Sequence, residues 1–209
     1  MIRKRRPVVW LIAALVLMGL GVLAETWYSK APTPMPLIQA TALEMPRALP
    51  PFDLVDTKNQ AFNQQRLLGH WTFLFFGFTH CESVCPLTMA ELSAMARKIA
   101  NQKAVPQPQV VMITLDPDRD DSARLMQYVT GFYPGFLGAS GSLEALQPLL
   151  KDLGIAHERM VISQHVSHYT IEHSGAVMLI NPKGELVAFF TPPHHAADLA
   201  HDYKLLSSK

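Results

Sequence analysis

Cys81 and Cys85 stand four residues apart in Phe-Gly-Phe-Thr-His-Cys-Glu-Ser-Val-Cys-Pro, and the 209-residue chain has no other cysteine. A disulfide framework normally uses more cysteines at wider spacing. The pair therefore reads as reactive or metal-binding. If residues 81–85 are roughly helical, positions i and i+4 share one face. Two sulfurs there can share one small ion or join as a disulfide. A structural bridge fits less well, because so short a loop removes little chain entropy. Soft thiolates select Cu(I), zinc or iron–sulfur iron. Two ligands are too few for structural zinc, which takes four from Cys and His. Cu(I) accepts low coordination, so two thiolates and one imidazole suffice.

The imidazole must come from nine histidines. His80 adjoins Cys81, but its side chain is expected to point elsewhere. His173 precedes the apolar run at residues 176–180 and is the best candidate. His165 and His168 are weaker ones. His194, His195 and His201 lie in the C-terminal segment and read as solvated.

These residues need a scaffold. The run Trp-Thr-Phe-Leu-Phe-Phe at residues 71–76 suits a central strand buried on both faces. Gly77 ends it and the cysteines follow. Leu92, Met95, Ala96 and Ile99 have helical spacing. Residues 110–113 form a second buried strand, and Leu125, Tyr128, Val129 and Phe132 mark a helix. Ser142 is the N-cap of another helix, lined by Leu143, Leu146, Leu150 and Leu153. Residues 176–180, Asn-Pro-Lys-Gly and residues 186–190 read as strand, turn, strand, and a last helix runs over residues 196–206. Residues 52–56 and 61–62 form a short hairpin. This order is that of a thioredoxin-like α/β domain, a central mixed sheet flanked by helices. Ligands collect where strands hand over to helices in such sheets. Unpaired amides there favour a thiolate.

Thioredoxins place a cis-proline in the loop facing the cysteines. Here no proline occurs between Pro148 and Pro182, and a histidine-bearing loop takes its place. A metal site is thereby favoured over a general dithiol oxidoreductase, and a peroxidase fits less well than either.

Outside this domain, residues 7–24 carry no charge, and residues 7–28 carry one, Glu25. About 20 apolar residues cross a hydrocarbon core. Residues 7–28 are thus expected to be a transmembrane helix, preceded by a basic stub at residues 1–6 that stays cytoplasmic. A cleaved signal peptide ending near Ala24 is the competing reading. Six prolines between residues 31 and 51 predict an irregular linker over residues 29–50, with the folded domain at residues 51–209. Net charge is +1. Without Arg3, Lys4, Arg5 and Arg6, 14 basic residues face 17 acidic ones, so nucleic acid is not an expected partner.

Taken together, several motifs resemble the SCO/SenC family of copper-handling proteins. They are Phe52-Asp53-Leu54-Val55-Asp56 and Phe75-Phe76-Gly77-Phe78-Thr79-His80-Cys81 with Cys85-Pro86. Thr114-Leu115-Asp116-Pro117-Asp118-Arg119-Asp120, Tyr169-Thr170-Ile171-Glu172-His173-Ser174 and Asn181-Pro182-Lys183-Gly184 complete the set. The resemblance implies a copper site, Cu(I) or Cu(II), made by Cys81, Cys85 and His173. It implies delivery of copper to the CuA centre of cytochrome c oxidase subunit II, or reduction of that centre's cysteines, with a periplasmic copper donor as a further partner. It also implies one transmembrane helix, and the short basic start, without a longer Arg- and Ser-rich presequence, leads to the expectation of a bacterial inner membrane with the C-terminal domain in the periplasm. Glu82-Ser83 stand where the family usually has Pro-Asp. Asp116 and Glu172 are expected near the ligands, Glu172 orienting the imidazole and Asp116 making a turn or cap.

Overall fold

The computed structural model describes residues 6–28, 36–161 and 169–208. The chain divides into two compact units, the second beginning at Leu37. The first contains helix α1 (Arg6–Tyr28). Its side chains are described over residues 9–22, and the large apolar ones there are more than half exposed. Among the described residues no helix is long and apolar enough to cross a membrane.

The second unit is a thioredoxin-like domain. Its strands are β1 (Ala40–Ala48), β2 (Asp53–Asp56), β3 (Ala61–Asn63), β4 (Thr72–Gly77), β5 (Gln109–Thr114), β6 (Leu137–Ser140), β7 (His157–Val161), β8 (Tyr169–His173), β9 (Val177–Ile180) and β10 (Glu185–Phe190). Its helices are α2 (Val84–Ala100), α3 (Ser122–Phe132), α4 (Leu143–Leu153) and α5 (Ala196–Ser207). Eight strands form one sheet in the order β1-β10-β9-β4-β5-β6-β2-β3, while β7 and β8 form a separate hairpin. β4 pairs parallel with β5 and antiparallel with β9. Every residue of β4 is buried, which explains its nearly continuous apolar sequence. α2 packs on α5, and α3 lies against β6. Phe73, Phe190 and Tyr203 meet in the core, and the Tyr203 hydroxyl donates to the Pro106 carbonyl at 2.8 Å.

The strand-turn-strand at the C-terminal end, the β2–β3 hairpin and the Ser142 cap agree with the sequence reading. The Ser142 hydroxyl accepts from the Ala145 amide at 3.1 Å. The proline-rich stretch differs. Its second half is the edge strand β1, paired with β10 across an irregularity between Ala42 and Arg47. An edge strand uses one side of its backbone, so it tolerates Pro46. The Asp202 carboxylate fastens its start, accepting the amides of Ile38, Gln39 and Ala40 at 2.9, 2.8 and 2.7 Å. β6, β7 and β8 also stand where the sequence showed no strand.

Candidate metal centre

Gly77 closes β4 and the chain turns through residues 78–83 into α2. Helix α2 starts at Val84, so Cys81 lies just before it and Cys85 in its first turn. The expected shared helix face is replaced by a cap. Cys85 N–H donates to Cys81 Sγ at 3.4 Å. Cys85 is fully buried and Cys81 half-buried. A Cβ at Gly77 would sit 2.8 Å from Cys85 Sγ, so the strand end must be glycine for the sulfur to tuck beneath it.

His173 ends β8 and meets the cysteines. Its Nε2 lies 3.3 Å from Cys85 Sγ, and Cys81, Cys85 and His173 offer ligand atoms all within 4.8 Å of one another. Nδ1 is 3.0 Å from the Ser174 carbonyl. A carbonyl only accepts, so Nδ1 carries the proton and Nε2 keeps its lone pair in the neutral ring. The ring edges against Phe75 and Phe78, which fixes its plane.

The two thiols are driven apart electrostatically. The hydrogen bond from the Cys85 side chain lowers Cys81 to about 3; burial opposes this, and the Cys85 and Ser83 amides assist. Cys85 is pushed up, first by its bond to Cys81 and then by burial. The pair rests as one thiolate and one thiol sharing a proton. The Cys81 thiolate is ready to ligate, and Cys85 must release a proton to do so.

The loop after β5 positions both halves. Asp120, 1% exposed, accepts the Thr79 amide at 2.9 Å, the Thr79 hydroxyl at 2.6 Å and the Thr114 hydroxyl at 2.6 Å. It thus ties the cysteine loop to β5. Asp116, fully buried, accepts the Tyr169 hydroxyl at 2.6 Å and the Arg119 Nε–H. Arg119 also donates to the Tyr169 carbonyl at 3.0 Å and stacks 3.7 Å from the Tyr169 ring centre. Arg159 lies on the same ring at 4.1 Å and pairs with Asp118 at 2.7 Å. The hairpin bearing His173 is thereby clamped to the Asp-rich loop.

Several sequence expectations are corrected. Glu172 is exposed and makes no hydrogen bond among the described residues; strand alternation sends it to the face opposite His173. The Ser174 carbonyl orients the imidazole instead. Asp116 makes the turn rather than the cap, its carbonyl accepting the Arg119 and Asp120 amides at 3.1 and 2.9 Å; Asp121 caps α3, and the Asp116 carboxylate reaches the site through Tyr169. His80 is held by Arg124 at 2.6 Å and faces Asp120 at 3.5 Å. His80, Asp116 and Asp120 form a second cluster, but all four carboxylate oxygens already accept hydrogen bonds. His194 is buried, not solvated, and its Nε2 bonds the Gly175 carbonyl at 2.8 Å. His201 leans on Asp202 at 3.0 Å. His165 and His168 lie outside the described residues. Asp120, Arg119 and Tyr169 went unassigned by sequence reasoning; the signal was five charges, Asp116, Asp118, Arg119, Asp120 and Asp121, packed directly behind a buried strand.

A cavity of about 860 Å³ opens over Cys81, walled by residues 80–84, Arg119 and the whole of β8. The SCO1/SenC family model matches residues 40–207. A candidate copper-binding protein of Stutzerimonas stutzeri is 36% identical over 159 residues, 75% of this chain and 76% of that protein. The mitochondrial Protein SCO2 homolog of Danio rerio is 28% identical over 193 residues, 90% of this chain and 68% of its own. The solved structure of Arabidopsis thaliana ScoI with copper bound superposes with a TM-score of 0.70 at 28% identity, covering 77% of this chain and 98% of that one.

Proposed function

The chain belongs to the SCO1/SenC family, and on that premise we propose that it carries copper on Cys81, Cys85 and His173 and delivers it to the CuA centre of cytochrome c oxidase subunit II. The observation that carries this reading is the donor set itself. A thiolate, a thiol and an imidazole with its lone pair turned inward converge within 4.8 Å. Two sulfurs and one nitrogen suit Cu(I). Cu(II) is the second cargo state. The half-buried Cys81 is the ligand an acceptor thiolate reaches first, so copper passes by ligand exchange, and Cys85 regains its proton as the ion departs. A periplasmic copper donor fills the site by the same route in reverse.

The test is metal analysis of the reduced full-length chain. About one Cu(I) per chain is expected, with loss on changing either cysteine. Unchanged copper affinity in His173→Ala overturns the site.

A second reading is favoured by the unequal thiols. A membrane-anchored reductase would use the Cys81 thiolate to attack a partner disulfide, and Cys85 to resolve the mixed disulfide. The partner gains two thiols while Cys81 and Cys85 become a disulfide, which an external thiol reductant must reopen. Activity of the copper-free protein on an oxidised CuA peptide separates this from copper delivery.

We further place the folded domain in a bacterial periplasm, tethered to the inner membrane by residues 7–28. Helical backbone over Arg6–Tyr28 rises about 34 Å. Apolar side chains exposed all round residues 9–22 support this, since a helix hydrophobic on every side needs an apolar surrounding. Residues 1–6 are the cytoplasmic stub, and residues 29–36 lead to the domain. An intact N-terminus on membrane-extracted protein is the expected result; a chain starting at Glu25 overturns the anchor.

A further inference from the structure

Strand β8 has two edges, and β7 uses one of them. The Ser174 amide donates to the Ala156 carbonyl at 3.0 Å. In an antiparallel ladder such hydrogen-bonded pairs alternate with pairs whose backbone groups point outward. The register His157↔His173, Arg159↔Ile171 and Val161↔Tyr169 therefore turns the amides and carbonyls of Tyr169, Ile171 and His173 away from β7. Tyr169 displays this directly, because its carbonyl is met from outside by Arg119. The outward groups of Ile171 and the His173 amide meet no partner among the described residues. All five residues of β8 line the cavity whose other wall carries Cys81.

We propose that this edge is a docking rail for an extended, cysteine-bearing segment of the partner protein, which adds as a strand beside β8 and lays its cysteine against Cys81. The inference rests on the copper-delivery reading for the partner's chemistry, since a soft ion or a disulfide is exchanged between thiolates. Natural proteins blunt open strand edges. Here Arg119 covers the Tyr169 end, and among the described residues nothing pairs with the edge at Ile171, itself buried, or at the His173 amide, the two positions beside the metal centre. Main-chain hydrogen bonds there supply affinity without demanding one partner sequence. Arg119 Nη2, buried and without a partner among the described residues, is a further donor for a carbonyl at the end of the added strand. An apolar small molecule is poorly matched to a wall of unpaired amides and carbonyls.

The experiment uses the full-length chain in detergent micelles with Cys85→Ser, so that Cys81 is the sole thiol. The probe is the peptide Thr-Val-Thr-Cys-Thr-Val-Thr, its cysteine joined by a disulfide to 2-nitro-5-thiobenzoate. The Cys81 thiolate attacks the peptide sulfur, a Cys81–peptide disulfide forms, and the nitrothiobenzoate leaves with the electron pair and is followed by its colour. Two further peptides are N-methylated on alternate amides, one on each set. One methylated set should react at least tenfold more slowly and the other within twofold of the parent, because one set faces β8. In the trapped adduct the Ile171 and His173 amides should gain protection from hydrogen exchange. Equal rates for all three peptides, or no protection at either amide, overturn the rail. Protection in the free protein that rises with protein concentration assigns the edge to a second copy and also overturns it. Neither readout involves copper. A wild-type chain that fails to bind copper while these results hold therefore sinks the delivery reading and leaves the rail standing.

Discussion

The two halves of the candidate metal centre are held in different ways. Cys81 and Cys85 grow out of the central sheet, at the end of the fully buried β4, with Asp120 locking the turn from beneath. His173 sits on a two-stranded hairpin that shares no ladder with that sheet. A lone hairpin is marginal in water, so side-chain clamps do the work that sheet pairing does for the cysteines. Asp116 and Arg119 grip Tyr169, and Asp118 grips Arg159. The cysteine half is therefore set by the fold. The histidine half is set by a few polar contacts, and the spacing between ligands depends on those contacts.

The largest contrast should appear in thiol chemistry. Cys81 is lowered to about 3, so its thiolate persists as pH falls and is lost only on approaching that value. Its alkylation rate, followed by mass spectrometry, should change less than about threefold from about pH 8 to about pH 5, where an ordinary thiol loses roughly a thousandfold of its thiolate. Cys85, moved upward, should stay unmodified. A steep profile for Cys81 would break the account of the cysteine half.

Removing the ligand from the other half comes next. His173→Ala should weaken Cu(I) binding by more than about 100-fold in a chelator competition, beyond the 10–100-fold typical of losing a ligand's hydrogen-bond partner. The fold should stay intact, because the hairpin stands outside the main sheet. Asp120→Ala should do the reverse. It strands the Thr79 amide and two hydroxyls and should cost about 3 kcal/mol in denaturant unfolding. Stability unchanged within 1 kcal/mol would show the cysteine loop to be held by something else.

Arg119→Met tests the clamp. A loss of roughly tenfold in copper affinity with only about 1–2 kcal/mol of stability is expected. Equal affinity would mean that the hairpin positions itself. The smallest effect belongs to Glu172→Gln, which should alter copper affinity by less than about twofold, because its side chain lies on the opposite face from His173. A larger change would restore Glu172 as the group that orients the imidazole.

The same division governs what could be read from the residues alone. The cysteine half was legible, because a continuous apolar run, a glycine and two close cysteines each have a local meaning. The hairpin half was not. β7 reads His-Glu-Arg-Met-Val, with four exposed positions after His157, and carries no alternating apolar signal. Its partner β8 looks like a polar loop. Strand β1 was hidden in the same way, since prolines announce extended backbone without saying whether a neighbouring strand will pair with it.

By itself the sequence determined the thioredoxin-like order of elements and named Cys81 and Cys85 as candidate sulfur ligands, with His173 as the best candidate imidazole. Those properties follow from periodicity and from the few residue types able to hold a soft ion. The tertiary structure alone decided which thiol is charged, which imidazole nitrogen faces the cysteines and which groups hold the hairpin in place. Cys85 meets His173 across 88 positions of chain, Tyr169 meets Asp116 across 53, and the Ser174 carbonyl faces Nδ1 only because β8 ends where it does. Burial, hydrogen bonding and tautomer are properties of neighbours in space, and the chain must fold before those neighbours exist.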